Sequence, residues 1–158
     1  MNKLLYYMIK NSFLKILVMG LPGSGKSTLS SDLCYLLNEN YKCHWLNADD
    51  IRNKFNDWDF SEIGRERQAT RMKDLANLQG QYHDFVICDF VCPLQKIRDK
   101  FNADYTVFVN TITESRYTDT NKIFEKPIKF DYEVKNKNSN YHSKMIYNDL
   151  VRKLNKKV

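Results

Sequence analysis

At 158 residues the chain has the length of one domain with room for a real hydrophobic core, and no linker divides residues 1–158. Hydrophobic residues make up 42% and charged residues 28%, values of a soluble globular protein and not of a disordered one. The formal charge of +6 admits anionic small molecules or nucleic acid. No recognised nucleic-acid module accompanies it, so the basic C-terminal residues Lys144, Arg152, Lys153, Lys156 and Lys157 read first as a solvated face.

The first apolar run, Leu4-Leu5-Tyr6-Tyr7-Met8-Ile9, is closed by Lys10. It is too short for a membrane span or a secretory core, and the expected location is the cytosol. A strand is predicted over residues 14–19, followed at once by Gly20-Leu21-Pro22-Gly23-Ser24-Gly25-Lys26-Ser27-Thr28 and a helix over 26–38. Strand, glycine-rich turn and helix in that order define a loop that binds nucleoside triphosphate. Gly20, Gly23 and Gly25 let the backbone turn its N–H groups inward around the phosphates, Ser24 included, and the helix start adds its positive end. Lys26 reaches the β- and γ-phosphates, the Ser27 hydroxyl is the expected magnesium ligand, and Thr28 is placed for an α-phosphate. ATP and Mg²⁺ are therefore the expected cofactors.

The second strand, 43–47, leads into Asn47-Ala48-Asp49-Asp50. A hydroxyl kinase needs a carboxylate beside the acceptor oxygen. Asp49 is assigned that chemistry, and Asp50 the N-cap of a helix over 50–55. Arg52 follows. After Trp58 and the entry signal Asp59-Phe60-Ser61-Glu62, a helix over 61–78 carries Arg65, Arg67 and Arg71. Guanidinium forks suit phosphate or sulfate oxygens, so Arg52 and Arg65 are candidate anion ligands, whereas Arg67 reads as solvent-facing. The bland reading of Arg65 is an i,i+3 surface pair with Glu62. Phe60 is placed either to stack on a base or to seal the core, and Trp58 beside it favours a ligand-facing loop.

A third strand over 85–90 ends at Asp89, positioned either for magnesium or to cap the next helix, 94–101. A fourth strand covers 105–110, a short fifth 131–134, and a last helix 141–154. The alternation gives an α/β domain: a mostly parallel five-stranded sheet with helices on both faces, the P-loop hydrolase and kinase architecture. Ligands in such sheets sit beyond the strand C-termini, where the polar clusters fall. Cys34, Cys43, Cys88 and Cys92 lack any Cys-x-x-Cys spacing, and His44, His83 and His142 lack ligand spacing, so zinc is not expected and the cysteines read as reduced thiols.

From about Lys15 to Pro127 these residues resemble the adenylylsulfate kinase family. The resemblance lies in the phosphate loop, in Leu46-Asn47-Ala48-Asp49-Asp50-Ile51-Arg52, in Asp59-Phe60-Ser61-Glu62 with Arg65 and Gln68, in Phe90-Val91-Cys92-Pro93, and in Val107-Phe108-Val109-Asn110-Thr111. It implies transfer of the ATP γ-phosphoryl group to the 3′-hydroxyl of adenosine 5′-phosphosulfate, a step of sulfate assimilation. By the same resemblance Asp49 lies at the acceptor, Arg52 and Arg65 hold the sulfonucleotide, and Phe60 stacks on its adenine. Gln68, Phe90 and Val91 line the acceptor site, and Arg116 opens a lid whose Lys122 faces the phosphates. The implied partner is a small anionic nucleotide, with a homodimer as a further expectation.

The sequence departs from the family at Asn47 and Ala48, which stand where the family has Asp and Gly. It departs again at Cys92, where some members carry a phosphorylated Ser, and in a lid from Arg116 to Phe124 that is much shorter. Two other readings stay open: a kinase of another hydroxyl, such as a nucleoside, a sugar or a modified DNA base, and a non-catalytic ATP-binding switch.

Overall fold

The computed structural model describes residues 12–157, so the Leu4 to Ile9 run lies outside the described residues. Five strands form one parallel sheet in the order β2-β3-β1-β4-β5: β1 (Leu14–Met19), β2 (Cys43–Asn47), β3 (Phe85–Asp89), β4 (Tyr105–Val109) and β5 (Tyr132–Val134). The helices are α1 (Lys26–Leu37), α2 (Ala48–Phe55), α3 (Glu62–Gly80), α4 (Gln95–Phe101), α5 (Thr118–Ile123) and α6 (Ser139–Lys157).

Alternation along the strands sorts the core into two layers. Leu14, Ile16 and Val18 of β1 join Phe85, Ile87 and Val107 beneath Leu29, Leu33 and Leu37 of α1 and Ile146, Leu150 and Leu154 of α6. The opposite set, Leu17, Met19, Val86, Cys88 and Phe108, packs against Ile51 of α2, Ala69, Met72 and Ala76 of α3, and Ile97 and Phe101 of α4. Because β1 is buried along its whole length at the centre of the sheet, the loops at its C-terminal end are held from both sides.

The predicted elements match the observed ones to within a few residues, with two differences of substance. Helix α2 begins at Ala48, because Asn47 and not Asp50 is its N-cap: the Asn47 side-chain carbonyl accepts from the N–H groups of Asp49 (3.0 Å) and Asp50 (3.2 Å). The short lid contains a helix, α5, that the sequence reading does not predict. No helix among the described residues is long and apolar enough to cross a membrane. The C-terminal basic residues Lys144, Arg152, Lys156 and Lys157 are exposed on α6, with Arg152 paired to Asp149 and Lys157 to Asp104.

Candidate active site

A cleft of about 1180 Å³ opens beyond the C-terminal ends of β1, β2, β3 and β4. Its floor is the phosphate loop. Gly23 (φ 81°) and Gly25 (φ 104°) occupy backbone conformations that side chains resist, and α1 starts at Gly25 with no side-chain cap. Its first N–H groups therefore face the cleft as an anion site. Gly20 does not line the cleft. A Cβ there would stand 2.4 Å from the Val109 carbonyl oxygen, so its role is to let the loop leave β1 against β4. Thr111 ties the same two segments together, its hydroxyl donating to the Ser24 carbonyl at 2.6 Å.

Lys26 is buried, and its ammonium donates to the Leu21 carbonyl at 3.0 Å. Burial lowers its pKa, while the carboxylates of Asp89 and Asp49 oppose that shift. Ser27 donates to Asp89 Oδ2 at 2.9 Å, and the Asn47 amide donates to the same oxygen at 3.2 Å and to Ser27 Oγ at 3.1 Å. Asp89 is 2% exposed, and burial raises its pKa against the opposing effects of Lys26, Ser27 and Asn47. It does not cap α4, whose N-cap is Leu94 with no side-chain bond. The oxygens of Ser27 and Asp89 suit a hard cation that keeps most of its own water and phosphate ligands, as magnesium does.

Facing this loop is a second group of cleft residues. Asp49 is exposed and lines the cleft, whereas Asp50 points elsewhere on the surface. Arg52 is buried, and its Nη1 donates to the carbonyls of Asp57 (2.9 Å) and Asp59 (3.1 Å), which leaves its Nε and Nη2 uncommitted among the described residues. Its guanidinium lies 4.4 Å from the Phe60 ring centroid, and that of Arg65 lies 5.4 Å away. Arg65 is buried too: Nε donates to the Phe60 carbonyl at 2.8 Å and Nη2 to Thr120 Oγ1 at 3.2 Å. It therefore does not form the surface pair with Glu62, which bonds Lys96 instead.

Several predicted site residues occupy different roles from those expected. Gln68 lines the cleft, and its amide also braces the structure, donating to the Ala48 carbonyl at 3.0 Å and accepting from Arg71 at 2.8 Å. Arg67 is half exposed as predicted, yet its fork engages Asp57 (2.7 Å and 2.9 Å) and Asp59 (3.2 Å). Lys122 is exposed on α5 and is not among the residues that line the cleft. Arg116 does line it, with its guanidinium over the Tyr117 ring and donating to the Tyr117 hydroxyl at 2.9 Å. Phe90, Val91 and Cys92 form the back wall. Cys92 has φ 47°, and burial pushes its thiol up to about 12 despite nearby Arg98.

Other residues that shape the cleft or line it are not marked in the sequence. Gly64 allows the 57–60 loop to close on α3, since a Cβ there would meet the Asp59 carbonyl oxygen at 2.2 Å. Asn136, Lys137 and Ser139, after β5, complete the rim, and Lys137 donates to the Gly23 carbonyl at 3.1 Å.

A parallel 2-3-1-4-5 sheet with a phosphate loop after its central strand and a helical lid segment defines the P-loop kinase fold. Solved structures agree on that fold: the APS kinase of Mycobacterium tuberculosis in complex with AMPPNP and APS superposes with a TM-score of 0.73 at 19% identity, covering 89% of this chain and 98% of that one. The family described as adenylylsulphate kinase matches residues 12–131, and the chain belongs to that family. The adenylyl-sulfate kinase of Penicillium chrysogenum is 36% identical over 54% of this chain and 42% of its own length. That of Bacillus velezensis is 35% identical over 51% of this chain and 42% of its own. The matched region thus spans less than half the length of these curated relatives.

Proposed function

We propose that the chain is a magnesium-dependent kinase that transfers the γ-phosphoryl group of ATP to a hydroxyl acceptor, and that the acceptor is the 3′-hydroxyl of adenosine 5′-phosphosulfate. One observation carries this reading: in a chain of this family, the phosphate loop and the group Asp49, Arg52, Phe60 and Arg65 line a single cleft. The M. tuberculosis relative, solved with AMPPNP and APS, supports the substrate pair.

Phosphoryl transfer asks the protein mainly for positioning and charge neutralisation. The loop N–H groups and the start of α1 hold the triphosphate. Lys26 releases the Leu21 carbonyl and turns its ammonium to the transferring group. Arg116, on the opposite rim, leaves the Tyr117 ring to add a second positive charge. Asp49 accepts the proton of the acceptor hydroxyl, a role that contributes about 10² to 10⁴ in rate. Arg52 and Arg65 present their remaining N–H donors to the anionic end of the acceptor. Ser27 and Asp89 would hold magnesium, which would supply charge neutralisation at the phosphate oxygens.

The test is ADP release from magnesium-ATP with and without adenosine 5′-phosphosulfate, the product being identified by mass spectrometry. Acceptor-dependent ADP and 3′-phosphorylated product are expected. ADP release indifferent to any acceptor would favour a switch. Efficient phosphorylation of a nucleoside, a sugar or hydroxymethylated DNA, with adenosine 5′-phosphosulfate inert, would keep the kinase and replace its acceptor.

A further inference from the structure

We infer that Trp58 is a base-stacking residue of the acceptor site, forming with Phe60 an aromatic corner that holds the planar base of a free nucleotide. The inference rests on the reading above only in taking this side of the cleft as the acceptor side.

Both rings line the cleft, 49% and 46% exposed, with centroids 6.4 Å apart and planes inclined by 46°. Two large apolar rings left half in water are unfavourable unless something covers them, and flat aromatic faces at a cleft wall suit a nucleobase. The backbone that carries them is fixed on both sides of Trp58. The Asp57 carboxylate receives Arg67 at 2.7 Å and 2.9 Å and Arg71 at 3.0 Å. The Asp59 carboxylate receives Arg67 at 3.2 Å and the Ser61 N–H at 2.9 Å. Arg52 holds the carbonyls of both aspartates, and Gly64 lets the loop close on α3.

This bracing has two consequences. The backbone that presents the rings has little conformational freedom left to lose when a ligand binds. The two carboxylates nearest Trp58 are also neutralised, so they do not repel an anionic acceptor. Phe60 already carries the guanidiniums of Arg52 and Arg65 against its ring, whereas the larger indole supplies further stacking surface. The division of labour follows: Trp58 selects for a planar base, and the uncommitted donors of Arg52 and Arg65 select for the anion beside it.

The test follows tryptophan emission of the full chain saturated with magnesium-AMPPNP, titrated with adenosine 5′-phosphosulfate, adenosine 5′-monophosphate and ribose 5-phosphate. The two adenine compounds should quench saturably and ribose 5-phosphate should not, and Trp58→Phe, which retains Trp45, should lose the response. In steady-state kinetics Trp58→Leu should raise the acceptor KM at least about tenfold, the scale of one lost base–aromatic stack, with the ATP KM within about twofold. Trp58→Phe should recover most of that loss. Normal acceptor KM in Trp58→Leu, with turnover intact, overturns the inference and leaves the acceptor assignment standing. Quenching by adenine compounds without turnover of adenosine 5′-phosphosulfate supports the stacking role and removes that acceptor. Absence of both quenching and turnover overturns both.

Discussion

Replacing Arg52 with Ala separates the bracing that the structure shows from the acceptor binding proposed for the same side chain. The Nη1 bonds to the Asp57 and Asp59 carbonyls, 2.9 Å and 3.1 Å, and the stacking on Phe60 at 4.4 Å brace the loop, while Nε and Nη2 remain for the acceptor. A hydrogen bond to a charged group is worth about 1.5–3 kcal/mol, and a partly exposed cation–π contact roughly 0.5–1 kcal/mol. The carbonyls regain water once the loop loosens, so the net loss of stability is nearer 3 kcal/mol than the sum, on the order of one charged pair of bonds. For a chain of this size that lowers the melting temperature by about 6–12 °C. In kinetics the acceptor KM should rise by about tenfold or more and the ATP KM by less than about threefold, since the phosphate loop is untouched. Arg52→Lys keeps the charge but not the planar fork and should fall between. Thermal unfolding by circular dichroism, with KM determined for each substrate, checks both parts. An unchanged melting temperature would refute the bracing, and an equal rise in both KM values would refute the acceptor-side placement.

Lys26→Ala should abolish phosphoryl transfer while circular dichroism stays that of the parent, because the ammonium holds only the Leu21 carbonyl; near-normal turnover would contradict the phosphate-loop chemistry. Asp49→Asn should lower kcat at least about tenfold with little change in ATP KM, and Asp50→Asn should be milder because Asp50 does not line the cleft; the reverse order would move the base to Asp50. Cys92, 2% exposed with its thiol pushed up to about 12, should resist iodoacetamide in the folded protein at pH 8 and react on unfolding. It should also carry no phosphate in a peptide mass spectrum after incubation with ATP, whereas a phosphorylated Cys92 peptide depleted by acceptor would contradict direct transfer.

The parts legible in the sequence are those fixed by local pattern: the glycine loop between a strand and a helix, the carboxylates just past β2 and at the end of β3, and the arginines on α2 and α3. Strand ends converge in a parallel sheet, so residues far apart in sequence meet at one cleft. What was not legible depends on contacts across the fold. Asn47 read as a mere replacement for an acidic residue, yet its amide caps α2 with one atom and bonds Ser27 and Asp89 with the other. Helix α5 has no side-chain cap and buries only Thr120, so it shows no apolar period; it is held by Arg65 on Thr120 and by Phe124 stacked on Phe108. Arg67 sits ten residues from its partner Asp57, a pairing that no helical spacing announces.

The proposed reaction moves the γ-phosphoryl group of ATP to the 3′-oxygen of an adenine sulfonucleotide. Its most direct test offers γ-labelled ATP together with either adenosine 5′-phosphosulfate or its 3′-deoxy analogue and follows the label by chromatography. Label is expected on adenosine 5′-phosphosulfate and none on the analogue. Label on neither compound, with efficient labelling of a sugar, a nucleoside or hydroxymethylated DNA under the same conditions, would contradict it.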